Sequence, residues 1–257
     1  MELKYFDNLK KFLGLSFILA KSEFKTKNTS VYTGIFWQLL NSFLLALMLW
    51  LVFSQSLGRS IPDYFAYLLI GISIFNFFQK STVAAANKFI EWGAVIKSMK
   101  FPYQALIFSV MLESLFSHLL EILIMAALFI FVLNISPAGL VFYPPILLLL
   151  VLFVYSFCLV LAVLTALLID VSHFWRFISP LLLFATPIFY SAGDQKMILI
   201  LDYFNPLYYF ITLTREAIIY RQPPLEMVIG ALAFSLLTFL VGNILFKKLW
   251  YHIVEKF

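Results

Sequence analysis

The sequence predicts an all-α integral membrane protein with six transmembrane helices, and three observations carry that prediction. Of its 257 residues, 63% are Ala, Val, Ile, Leu, Met, Phe, Trp, Tyr or Cys, and 12% are charged. A soluble domain carries about 25% charged residues, so this chain lacks the polar surface to cover a water-soluble globule. Its apolar runs are long and do not alternate, which fits helical spans of about 20 residues rather than membrane strands of about 10. Lys and Arg, finally, segregate to one side of those runs, as cytoplasmic loops require. The 30 Phe exclude disorder, and Cys158, the single cysteine, excludes a disulfide scaffold.

Residues 1–28 are read as a cytoplasmic interfacial helix. Tyr5, Phe6, Leu9, Phe12 and Leu13 share one helical face, with Lys4, Asp7, Asn8 and Lys11 opposite. Asp7 in the would-be basic region and Lys21, Lys25 and Lys27 after the apolar run argue against a signal peptide. Six spans follow: Val31 to Phe53, Tyr64 to Ala86, Tyr103 to Leu133, Pro144 to Ile169, about Phe177 to Tyr190, and Met227 to Phe246. With these spans, 14 Lys and Arg fall on one side, and Arg59, Lys196, Arg215 and Arg221 on the other. Both termini are therefore expected in the cytoplasm. The net charge of +5 follows from this topology and calls for no nucleic-acid partner.

Two connections stand out. Residues 87–98 place Asn87, Lys88, Glu91 and Ser98 on one helical stripe and Phe89, Ile90, Gly93, Ala94 and Ile96 opposite. Pro102 then turns the chain away. Such a helix rests on lipid or docks on a partner. The outer segment 191–226 holds two apolar patches, Met197 to Phe204 and Leu207 to Tyr220, each too short to span. Between them Asn205 is a strong N-cap and Pro206 suits the first helical position. The pair reads as a re-entrant helical hairpin, which membranes tolerate only against protein or a water-filled cavity.

Aromatic residues crowd this region. Tyr190, Tyr203, Phe204 and Tyr208 fit two readings, a belt at the headgroups or stacking faces for a sugar chain. Glu113, His118 and Glu121 lie inside the third run, where ionisable groups are costly and mark function or internal pairing. His118 and Glu121, three apart, can pair on one face.

Catalytic signatures are missing. No G-x-x-x-x-G-K-S/T, G-x-S-x-G or H-E-x-x-H motif occurs. His118, His173 and His252 have no ligand spacing to Cys158, so no metal or cofactor is expected on this chain. Glu91 and Asp170 are the only acids in the cytoplasmic loops, too few for metal-assisted transferase chemistry. An intramembrane enzyme is therefore not expected.

Six spans, an N-terminal amphipathic helix, a short helix before Phe101-Pro102 and an outer broken hairpin resemble the type-2 ABC exporter permeases. Thr186-Pro187-Ile188-Phe189-Tyr190-Ser191, Asn205-Pro206-Leu207 and Arg215 are similar to the pattern of their polysaccharide-exporting, O-antigen (Wzm-like) branch. The resemblance covers essentially the whole chain as one permease domain, 1–257. It implies a homodimer with two copies of a separate cytoplasmic ATPase, which would carry ATP and Mg. Residues 87–98 would be the coupling helix seated in that ATPase, with Lys88, Glu91, Trp92 and Lys97 as its contacts. The implied substrate is a polysaccharide on an undecaprenyl diphosphate carrier, moved across the bacterial inner membrane for lipopolysaccharide biosynthesis. Asn205 and Pro206 would then form the outer gate, and Tyr190, Tyr203, Phe204 and Tyr208 the substrate path. A teichoic acid, a drug or another lipid is an alternative cargo. An ion-coupled secondary transporter would use intramembrane carboxylates and often internal repeats; the chain has no clear repeat.

Overall fold

Ala66 to Phe75 are buried in one unbroken run, so the helix that carries them is enclosed on every side. The computed structural model describes residues 2–27, 31–56, 58–99, 101–190 and 202–256. Its helices are α1 (Glu2–Lys27), α2 (Val31–Phe53), α3 (Tyr64–Glu91), α4 (Gly93–Ser98), α5 (Gln104–Phe131), α6 (Tyr143–Leu167), α7 (Asp170–Ala185), α8 (Pro206–Arg215) and α9 (Leu225–Lys256). The enclosed helix is α3, which packs against α2, α5, α6, α7 and α8, while α1 lies along α5 and α9 along α6.

Among the described residues four helices are long and apolar enough to cross a membrane: α3, α5, α6 with its leading 3-10 turn, and α9. Their outer faces are apolar too; Leu123, Leu148, Ile229 and Ile244 are all exposed. The expected first span forms as α2, whose shorter apolar stretch is Leu39–Phe53. The expected fifth span is corrected. α7 occupies Asp170–Ala185 rather than Phe177 to Tyr190, and its 16 residues reach about 24 Å at 1.5 Å each, short of the ~30 Å core. Pro187 sets its end. The residue before a proline is driven out of the α region, and Thr186 sits at φ −110°, ψ 139°.

Two further boundaries differ. α3 continues to Glu91, so residues 87–98 are not one helix; Trp92 breaks it at φ −98°, ψ 10° before α4 begins. α9 runs past Phe246 to Lys256. Of the expected outer hairpin, residues 191–201 lie outside the described residues, as do the side chains of Tyr5, Phe6 and Leu9 in α1.

Small residues set the closest helix pair. Ala231, Ser235 and Gly242 are buried along α9, and an ideal Cβ on Gly242 would stand 2.9 Å from the Ser156 carbonyl of α6. Ser235 Oγ donates to Leu149 O of α6 at 3.0 Å. Close backbone approach through small residues replaces the hydrophobic driving force that helices lack in lipid.

His118 and Glu121 of α5 join a polar cluster. His118 bonds Ser73 through Nδ1 at 3.3 Å and Tyr143 Oη through Nε2 at 2.5 Å. Glu121 accepts from Ser42 and Ser73, and Asn76 donates to Ser42 Oγ at 3.0 Å. The expected His118–Glu121 pairing is thus relayed through Ser73, and the cluster ties α2, α3, α5 and the start of α6.

Gly139 shows how tightly the chain is drawn at the other end. It lies in the 3-10 turn Pro137–Phe142, capped by Ser136 Oγ, and packs against the π turn Glu216–Tyr220. An ideal Cβ there would lie 2.4 Å from Ala217 O and 2.5 Å from Ile218 O. Backbone cannot yield as a side chain does. Gly139→Val is therefore expected to destabilise by at least the ~1–3 kcal/mol typical of overpacking, read as a lower thermal midpoint of the detergent-purified chain; an unchanged midpoint would refute the contact.

Candidate functional site

The polar side chains at the α8 end of the bundle converge on a short stretch of non-helical backbone, Thr186 to Tyr190. That stretch must exist because Pro187 stops α7, and its carbonyls then lack helical partners. Buried carbonyls left alone cost about 1–3 kcal/mol each. Four in succession are met by side chains. Arg215 donates from Nη1 to Pro187 O and from Nη2 to Ile188 O, each at 2.7 Å. Tyr64 Oη donates to Phe189 O at 2.7 Å, and Tyr67 Oη to Tyr190 O at 3.0 Å.

Arg215 is the hub. Its Nε donates to Tyr67 O of α3 at 3.0 Å, and its guanidinium carbon lies 3.4 Å from the centroid of the Tyr67 ring. The side chain is 2% exposed. Its planar fork offers five donors in a fixed geometry, so one residue links α8, α3 and the segment after α7. Space for it is made by Gly71, one turn beyond Tyr67; an ideal Cβ there would sit 2.6 Å from Arg215 Nη2. Counted from sequence among the outer-loop charges, Arg215 is in fact a buried structural cation, and its role was not in the sequence-based site.

Asn205 closes the other side. Its Oδ1 accepts from Leu207 N at 3.0 Å, the N-cap expected, with Pro206 at the first helical position. Its Nδ2 donates to Thr186 Oγ1 at 2.9 Å and to Ala185 O at 3.3 Å. Asn205 thereby starts α8 and finishes α7 at once. Asp202 is 1% exposed and accepts from Tyr190 Oη at 3.5 Å. Burial pushes its carboxyl up to about 6, against the lowering effect of that hydrogen bond.

Of the four aromatic path residues, the structure brings Tyr190 and Phe204 to one cavity of about 600 Å³, lined also by Phe153, Phe157 and Trp175. Tyr203 is exposed and meets Tyr208 edge-on at 5.9 Å. Tyr208 is 7% exposed and buried in α8, where it offers no open face. At the α4 end the four residues expected to contact the ATPase separate. Glu91 and Lys97 are exposed and Trp92 half-buried. Lys88 is buried instead, 2.6 Å from Glu23 of α1 and over the Trp92 ring. Among the described residues no group of three His, Cys, Asp or Glu converges as a metal site.

Comparison with known proteins places this geometry. A family model described as ABC-2 type transporter matches residues 15–219. An O-antigen export system permease protein (RfbA) of Klebsiella pneumoniae is 26% identical over 99% of both chains. Its namesake from Myxococcus xanthus is 23% identical over 93% of this chain and 94% of its own.

Two outcomes are expected here. Arg215→Met strands Pro187 O and Ile188 O and should cost at least about 3 kcal/mol, while Arg215→Lys recovers only part, because an ammonium cannot span three carbonyls. Thermal midpoints of the purified variants check the order, and equal losses for Lys and Met would contradict it. Asp202 titrates near 6 in the fold against 3.8 ordinarily. Folding therefore favours its neutral form, and that stabilisation is present below about pH 4 and lost as pH rises through 6. Wild type should weaken relative to Asp202→Asn between pH 4 and 7; parallel midpoints across that range would exclude a buried carboxyl.

Proposed function

The chain belongs to the ABC-2 type transporter family of membrane permeases, and from that premise we propose that it is the membrane-spanning subunit of a polysaccharide exporter. In this reading ATP is hydrolysed on a separate cytoplasmic subunit, two copies of which join a homodimer of this chain. The cargo is a polysaccharide on an undecaprenyl diphosphate carrier, crossing the bacterial inner membrane. The similarity to O-antigen export permeases over nearly the full length of each chain supports this cargo over a drug or a teichoic acid.

The observation that carries the reading is the clamped segment at the α8 end. A short helix held across the bundle by Arg215, and begun at Asn205 against Thr186, suits an outer gate within a six-span topology whose termini are cytoplasmic. A single chain of this size cannot enclose a hydrated glycan, whereas two copies about a two-fold axis can form its walls. Aromatic faces suit such a path. Stacking is shallow and repeats from ring to ring, and conduction needs binding weak enough to release. Tyr190 and Phe204 line their cavity, and the exposed Tyr203 meets Tyr208 edge-on.

At the opposite end Glu91, Trp92 and Lys97 form the docking edge for the ATPase. Lys88 acts from behind, fixing the Trp92 corner to α1 through Glu23. An anchor lost from such an edge costs about 1–4 kcal/mol of docking. In cells making the polysaccharide, Glu91→Arg combined with Trp92→Ala should abolish export or release the ATPase while the chain remains inserted. Normal export by this pair, with the ATPase still bound, would refute the coupling edge. Failure of any ATPase subunit to co-purify with wild type would refute the exporter reading itself.

A further inference from the structure

Between α3, α5 and α7 lies a second cavity of about 530 Å³, lined by Gln79, Lys80, Glu113, Ser114, Ser117, Arg176 and Ser179 among others. None of these residues belongs to the clamp, the aromatic cavity or the docking edge. Lys80 is 16 residues along α3 from Tyr64 and 11 from Glu91, so the cavity sits within the span, nearer the α4 end. Arg176 is six residues into α7. Lys80 and Arg176 are both exposed where the cavity opens, and cations on membrane helices mark pathways or partners.

The lining selects a chemistry. Two cations against one carboxylate leave a net charge of +1. The hydroxyls of Ser114, Ser117 and Ser179 and the Gln79 amide add donors. Ser179 is the independent sign. It is 1% exposed, and its Oγ is buried with no hydrogen-bond partner among the described residues. A buried hydroxyl lacking a partner inside a cation-lined cavity calls for an acceptor from outside. An acyl chain would meet too many polar groups here, and a metal cation would be repelled by Lys80 and Arg176. A ligand rich in anionic oxygens gives the Ser179 hydroxyl its acceptor and suits the net positive lining.

We infer that this cavity binds the phosphate groups of the cargo, the diphosphate head that joins glycan to lipid. The inference rests on the exporter reading for the identity of that head, though the site's phosphate chemistry stands on the lining alone. Arg176 supplies a planar two-pronged contact and Lys80 a point charge. Ser179 donates from the α7 wall. The head is thus held on the α4 side of the bundle, before the glycan reaches the aromatic cavity toward α8.

The test uses the full chain with its ATPase in nanodiscs and reads lipid retention by native mass spectrometry. The probes are polyprenyl diphosphate and uncharged polyprenol, with inorganic pyrophosphate as competitor. Wild type should retain the diphosphate lipid over polyprenol. Arg176→Gln and Lys80→Gln should each weaken that retention about ten- to hundredfold, the usual effect of losing a charge-assisted hydrogen bond, and Arg176→Lys should recover part of it. Displacement by pyrophosphate would assign the site to phosphate from any source. Arg176-dependent retention without displacement would assign it to the lipid-borne head. Complex yield and thermal midpoint report folding for each variant. If the Lys80→Gln, Arg176→Gln double variant folds and retains the diphosphate lipid as wild type does, the site is refuted while the exporter reading stands. If wild type retains that lipid through Arg176 yet cells lacking this chain export polysaccharide normally, the exporter reading fails and the site stands.

Discussion

One buried guanidinium sets the terms for the α8 end of this protein. Arg215 satisfies two carbonyls of the chain after α7 and a third on α3, with the Tyr67 ring beneath it. Buried irregular backbone survives only where protein satisfies it, and Thr186 to Tyr190 after α7 is such a stretch. Without the clamp, Pro187 would end α7 in an environment with no donors for the following carbonyls. With it, the break becomes a rigid joint.

The rest of the bundle is arranged to present that joint. α3 is enclosed over Ala66 to Phe75, and it supplies Tyr64, Tyr67 and the Gly71 gap to the clamp. Lower on the same helix, Ser73 and Asn76 feed the polar cluster with His118 and Glu121. Lower still it lines the cation-bearing cavity with Lys80, and it ends in Lys88, tied to α1. A single helix therefore connects the proposed docking edge to the clamped helix. A movement imposed at Trp92 has a direct mechanical route to Arg215 through α3.

Much of this was legible in sequence, for reasons that differ by element. Long apolar runs announced α2, α3, α5, α6 and α9, because burial in lipid leaves a compositional mark. Asn205-Pro206 announced the start of α8, because capping is local chemistry. Boundaries failed where tertiary partners decide them. Nothing local predicts that α3 continues to Glu91; Lys88 stays in the helix because Glu23, 65 residues away, neutralises it. α7 was placed too late because its amphipathic first turns, Asp170 to Arg176, do not read as apolar. Arg215 was counted as a loop charge. The available signal was an arginine inside an apolar patch, paired with a Thr-Pro break whose carbonyls needed donors. Recognising it required knowing that the two segments meet.

The clamp is tested most directly by hydrogen exchange on the purified chain, comparing wild type with Arg215→Met. If Arg215 is what holds α8 to α3, the amides of residues 207–215 and 188–190 should lose protection together in the variant, while α5, α6 and α9 keep theirs. Wild-type protection of α8 in Arg215→Met would contradict the account, because the joint would then be held by something other than the guanidinium.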